Sequence, residues 1–266
     1  MPTENPRSTE NPRSTENPRS TEDPKSTEDP KSTENTGRPE LHDELMERWN
    51  ATLVNQEPLG ESLIRRYAEP HRRYHDVEHL RHVLQMIDEL SDGGADLYLV
   101  RLAAWFHDAI YDIPFRELTN EDASARLSIR ELSRAGFEQE DLTQVARLVR
   151  LTATHVPGSR DPEGELLCDA DLAILAAPPE AYARYTAAIR EEYADVPEAE
   201  FLRARLDVLE PLTEGELFRT PKGRAMTAAA QANLLAECDE LETRLDALMA
   251  GSGNAHPSTD QHLDAP

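Results

Sequence analysis

After Leu41 the chain has almost nothing from which to build a sheet. No alternating Val/Ile/Thr/Tyr run exceeds four residues, while Ala, Leu, Arg and Glu, all good helix formers, dominate. The apolar periodicity predicts helices near 41–55, 60–68, 77–90, 96–111, 121–135, 139–154, 165–176, 179–194, 198–209 and 222–248. Turn residues fall at the joints: Ser91-Asp92-Gly93-Gly94, Ala135-Gly136, His155-Val156-Pro157-Gly158 and Pro178-Pro179. The segment from Leu97 to Phe106 is apolar on nearly every face, which marks a central helix packed on all sides. The expectation is an all-α protein with a single helical domain.

Composition sets the limits of that domain. Only 38% of the chain is hydrophobic, but Met1 is the sole such residue before Arg38, and 251–266 is rich in Ser, Asn, Asp, His and Pro. Residues 2–37 are six related hexapeptides, PTENPR, STENPR, STENPR, STEDPK, STEDPK and STENTG, with no apolar side chain to offset ordering entropy. We therefore expect disordered tails at 1–37 and 251–266 around a folded domain at 38–250. With 52 Asp+Glu against 28 Lys+Arg, the net charge of −24 repels polyanions. That argues against nucleic-acid polymers and anionic membranes as partners, and leaves room for one small phosphorylated ligand in a local basic pocket. No apolar run approaches the roughly 18 residues of a membrane span, and the N-terminus has no signal-like apolar region. Cys168 and Cys238 cannot make a disulfide framework, so a reducing, cytoplasmic setting is expected.

The chemistry concentrates in histidines and acids. His71, His75, His79 and His82 crowd one segment, and His107-Asp108 ends the most apolar helix. If helices 77–90 and 96–111 pair antiparallel across the 91–95 turn, His79 and His107 lie at the same level, each roughly 17 Å from the turn at about 1.5 Å per residue. His107 has Ala103, Ala104, Ile110 and Tyr111 as its helical neighbours. An imidazole and a carboxylate there are costly unless a divalent metal holds both or, more plainly, the imidazole donates to a backbone carbonyl while Asp108 caps something nearby. Between Leu166 and Leu175 stand two acids, Asp169 and Asp171. They are about 200° apart on a helix, so only one can face a given site. Asp171, flanked by Leu167, Cys168, Ile174 and Leu175, is the expected ligand, with Asp169 behind it or at the surface.

The ordered set Tyr74-His75-Asp76-Val77-Glu78-His79-Leu80, Trp105-Phe106-His107-Asp108-Ala109-Ile110-Tyr111-Asp112 and Asp169-Ala170-Asp171-Leu172 resembles the H…HD…D signature of the HD superfamily of metal-dependent phosphohydrolases. With Asn120-Glu121-Asp122, a TxxH segment and Ile189-Arg190-Glu191-Glu192-Tyr193, it is similar to a bacterial group of small predicted HD phosphohydrolases, over roughly residues 41–247. The resemblance implies an HD-like helical bundle with His79, His107, Asp108 and Asp171 as ligands of a divalent metal. This donor set suits Mn, Fe, Co, Ni, Zn or Mg. Such an ion would activate a water and polarise a phosphoryl oxygen of a small substrate, a nucleotide being the expected class. By the same resemblance, Asp112, one turn after Asp108, would orient the attacking water, although Tyr111 stands where the guanosine-tetraphosphate hydrolase branch has Glu. His75 would protonate the leaving oxygen. His155 is a candidate for a second metal, and Arg72, Arg73 and Arg190 for the phosphate. His82 reads as a surface or supporting residue, and Thr119 with Asp122 as a helix-capping pair.

Two other readings compete. His75-Asp76-Val77-Glu78-His79 matches H-x-x-E-H, the inverted zinc-peptidase motif, but that reading leaves His107, Asp108 and Asp171 without a role. The other is an HD-like module that binds a nucleotide without turnover.

Overall fold

The structure is a computed structural model that describes residues 39–114 and 117–253, the last three by backbone alone. The tail expected at 1–37, and that at 251–266 apart from its first residues, lie outside the described residues. Among those described there are ten α-helices and no strand. They are α1 (Pro39–Thr52), α2 (Glu57–Tyr67), α3 (Val77–Leu90), α4 (Leu97–Phe106), α5 (Asn120–Arg134), α6 (Gln139–Leu151), α7 (Pro162–Asp171), α8 (Pro179–Glu192), α9 (Glu198–Glu214) and α10 (Thr227–Gly253). Short 3-10 turns at Leu172–Ala176 and Gly223–Met226 follow α7 and precede α10. No helix among the described residues is long and apolar enough to cross a membrane.

Side-chain caps fix where several helices begin. Asp76 accepts from the Glu78 and His79 N–H groups at the start of α3, Asp96 from Tyr98 and Leu99 at α4, and Thr119 from Asp122 at α5. Each such cap contributes about 1 kcal/mol. The Asp76 cap also sets the phase of α3, so that His79, Leu80, Val83, Leu84 and Ile87 all turn inward.

Helix α4 is the centre of the larger core, packed against α1, α3, α5, α6 and α7. Its later residues, Val100 and Leu102 to Phe106, are buried. The expectation of packing on all sides fails at its start, where Tyr98 is 39% exposed and stacks on Phe137. Trp105 meets Trp49 edge-on at 5.1 Å between ring centroids. Trp49 lies so close to Gly60 that a Cβ there would fall 2.4 Å from the indole, so glycine is what lets α1 and α2 meet. A second apolar cluster, including Leu175, Ile189, Leu202, Phe218 and Leu234, joins α8, α9 and α10, and Met226 packs against both clusters.

Several expected helix ends shift by a few residues, and three of these corrections bear on the site. Helix α4 stops at Phe106 and not at 111, because the next backbone groups are taken by other elements. The Asp108 N–H donates to the Tyr67 hydroxyl, Arg72 donates to the Asp108 carbonyl, and Ser124 accepts from the Ile110 N–H. Helix α6 ends at Leu151, where the His155 N–H returns to the Leu151 carbonyl and His155 takes a left-handed φ of 51°. The stretch expected as 165–176 divides into α7 and a 3-10 turn, which makes Asp171 the last residue of α7.

Candidate metal centre

His79 from α3, His107 and Asp108 from the turn just after α4, and Asp171 from the end of α7 converge on one point. The Nε2 atoms of His79 and His107 face each other at 3.0 Å. Asp108 Oδ2 lies 3.4 Å from the first and 3.1 Å from the second, and Asp171 Oδ1 lies 3.3 and 3.6 Å from them. The ligand atoms of His79, His107 and Asp108 all fall within 4.8 Å of one another. Both imidazoles are essentially out of solvent, at 4% and 1% exposure.

This donor set fits a divalent cation. The His107 Nδ1 donates to the Ala104 carbonyl at 2.7 Å, and a carbonyl can only accept, so Nε2 carries the lone pair toward the cluster. The carbonyl-bonded core histidine is thus observed at Nδ1, and it leaves Nε2 open to the role of a ligand. His79 Nδ1 is buried with no partner among the described residues. The charges are strongly coupled. Burial works against a charged His79, but hydrogen bonds and attraction from Asp108 and Asp171 push its pKa up to about 10. Burial would raise both acids, yet His107 foremost holds Asp108 well below the carboxylate range, and His107, His155 and His79 do the same for Asp171.

The other expected residues divide. His155 Nε2 bonds Asp171 Oδ2 at 2.9 Å, so it reaches the centre through that carboxylate. Asp169 points elsewhere, accepting from the Arg219 and Thr220 N–H groups and from the Thr220 hydroxyl. His75 sits beside the ligand pair, its ring 5.6 Å from that of His79 and stacked on Tyr111 at 4.2 Å. Asp112 does not share a helical face with Asp108, because the helix that would align them has ended; its backbone is instead held in both directions by the Asn120 side chain. The three arginines are occupied. Arg72 donates to the His75 and Asp108 carbonyls, Arg73 to the Pro70 carbonyl, and Arg190 to Glu198 and the Tyr193 and Val196 carbonyls. His82 is half-buried one turn beyond His79.

Sequence reasoning missed Glu192. Its side chain has 0% exposure, Oε1 accepts from the N–H groups of Arg73, Tyr74 and His75, and Oε2 pairs with His75 Nδ1 at 2.7 Å. Its signal was in view, an acid in the Ile189–Tyr193 segment, but only the fold brings α8 beneath the 73–75 turn. Burial alone would raise this carboxyl, while the bonds from His75 and the backbone hold it down at about 2. A folded pKa below the unfolded value means stability that is fully present above about pH 4.5 and is lost as pH falls toward 2. Wild type should therefore lose up to roughly 3 kcal/mol more than Glu192→Gln between pH 5 and 2 in denaturant unfolding. Parallel pH profiles for the two chains would remove this linkage.

No family model matches the chain, and no curated protein matches it. Among solved structures the chain is similar to Bacillus subtilis YpgQ in complex with ADP, at 20% sequence identity and a TM-score of 0.41, covering 70% of this chain and 96% of that one.

Proposed function

We propose that the protein is a metal-dependent phosphohydrolase of the HD type, acting on a phosphomonoester or phosphodiester of a small molecule such as a nucleotide. The observation that carries this reading is the meeting of His79, His107, Asp108 and Asp171 from three helices at one buried point, in the order of the H…HD…D signature. These four residues would hold the ion, and His155 would steady Asp171. A bound divalent cation supplies Lewis acidity, lowering the pKa of a water and offsetting charge on a phosphoryl group.

The chain's own residues supply the rest. Glu192 holds His75 through Nδ1, which leaves Nε2 as the nitrogen able to give a proton to a departing oxygen. Arg72 ties the carbonyls of His75 and Asp108 together, so the proposed acid and one ligand share a single rigid support. The peptidase reading needs Glu78 free as a general base beside a His75–His79 pair; Glu78 is ion-paired to Arg81 at 3.0 Å and His75 to Glu192. That pairing supports the phosphohydrolase reading over it.

Metal analysis of the purified full chain, followed by a screen of phosphorylated metabolites with added Mn²⁺, Co²⁺, Mg²⁺ or Zn²⁺, tests the proposal. Phosphate release from at least one compound, abolished by chelator, is the expected result. Stoichiometric metal with binding but no turnover of any phosphorylated compound would favour the regulatory module.

A further inference from the structure

We infer that the Tyr74 hydroxyl is the donor that holds a phosphoryl oxygen of the substrate, an inference that rests on the phosphohydrolase reading. The ring of Tyr74 is fixed on three sides. It meets His75 edge-on at 4.9 Å, leans on His79 at 4.9 Å, and packs edge-on against Tyr185 at 4.6 Å. Its backbone N–H is tied to Glu192. Its hydroxyl, by contrast, makes no hydrogen bond with any described residue. A phenol wedged between the proposed acid and a metal-ligand histidine, with only its O–H left over, is placed to meet something outside the chain.

Two further features point to an anionic oxygen as that partner. A phenolic O–H is a hydrogen-bond donor, which is what an oxygen that can only accept requires. And the guanidinium groups expected to bind phosphate, those of Arg72, Arg73 and Arg190, already bond protein carbonyls or carboxylates. Behind Tyr74 stands a chain of positioning residues. Arg205 donates to the Tyr185 hydroxyl at 2.9 Å and to Glu237 at 2.8 Å, and Tyr182 donates to the same Glu237. This buried network fixes Tyr185, and Tyr185 backs the Tyr74 ring.

Tyr74→Phe keeps the ring packing and removes only the hydroxyl. In the full-length, Mn²⁺-loaded protein it should retain wild-type metal content and melting temperature. Its affinity for inorganic phosphate, measured by titration calorimetry, should fall about ten- to a hundredfold. Where wild type hydrolyses bis(p-nitrophenyl) phosphate or p-nitrophenyl phosphate, kcat/KM should fall by a similar factor. Unchanged phosphate affinity, loss of metal from the variant, or failure of wild type to bind phosphate would each overturn the inference. Absence of turnover by wild type with phosphate binding still weakened in Tyr74→Phe would instead sink the phosphohydrolase reading and keep the hydroxyl as an anion donor.

Discussion

If the proposed function holds, His107→Ala and Asp108→Ala chains are expected to purify with almost no divalent metal, and to lose at least about a thousandfold in phosphohydrolase rate, since the ion would be asked to supply several kcal/mol of barrier lowering. Both residues stand in the middle of the cluster. His107 Nε2 has the other imidazole at 3.0 Å and Asp108 at 3.1 Å, and the bond from its Nδ1 to the Ala104 carbonyl holds the ring with Nε2 toward the cluster. Asp169→Asn is the matched control. It touches the Arg219–Thr220 loop and not the cluster, so it should lower stability while leaving metal content alone. Metal analysis of the three variants decides the matter: full occupancy in His107→Ala would remove the proposed centre.

The second large effect is expected at Arg72. Its side chain has 0% exposure and donates to the carbonyls of His75 at 2.9 Å and Asp108 at 2.7 Å. It also pairs with Glu69 at 3.2 Å and lies over the rings of Tyr67 and Tyr111. Arg72→Met fills much of the volume but leaves those carbonyls without a donor and Glu69 without its cation. A loss of roughly 3–5 kcal/mol follows from breaking a buried charge with several acceptors. Arg72→Lys should rescue little, because a point charge cannot span acceptors that the guanidinium fork reaches together. Denaturant unfolding reads both variants, and a loss below about 1 kcal/mol in Arg72→Met would show that the carbonyls find other partners.

Much of this molecule was legible in the sequence. All ten expected helices have counterparts, because the 3.6-residue apolar rhythm, the turn residues at the joints and the Thr119–Asp122 cap are local signals. The meeting of His79 with His107 followed from counting residues on either side of one turn. What escaped was set by distant contacts. Helix α4 ends early because Tyr67, Arg72 and Ser124 take its backbone groups, and no periodicity reports that. The same early end removed the helical argument for Asp112. Arg72 stood among three candidates for the phosphate because sequence reveals a charge but not the carbonyls it will meet. Glu192 went unassigned because its partners lie more than a hundred positions earlier in the chain.

The four converging donors have a consequence for the chain as a whole. They come from α3, the residues just after α4 and the end of α7, the last more than sixty positions along the chain from Asp108, so an ion held in common would act as a cross-link between them. Folding would then be linked by mass action to ion supply: at a free concentration a thousand times the dissociation constant, the folded state would gain about 4 kcal/mol. The melting temperature of this protein would become a reporter of the metal status of its surroundings.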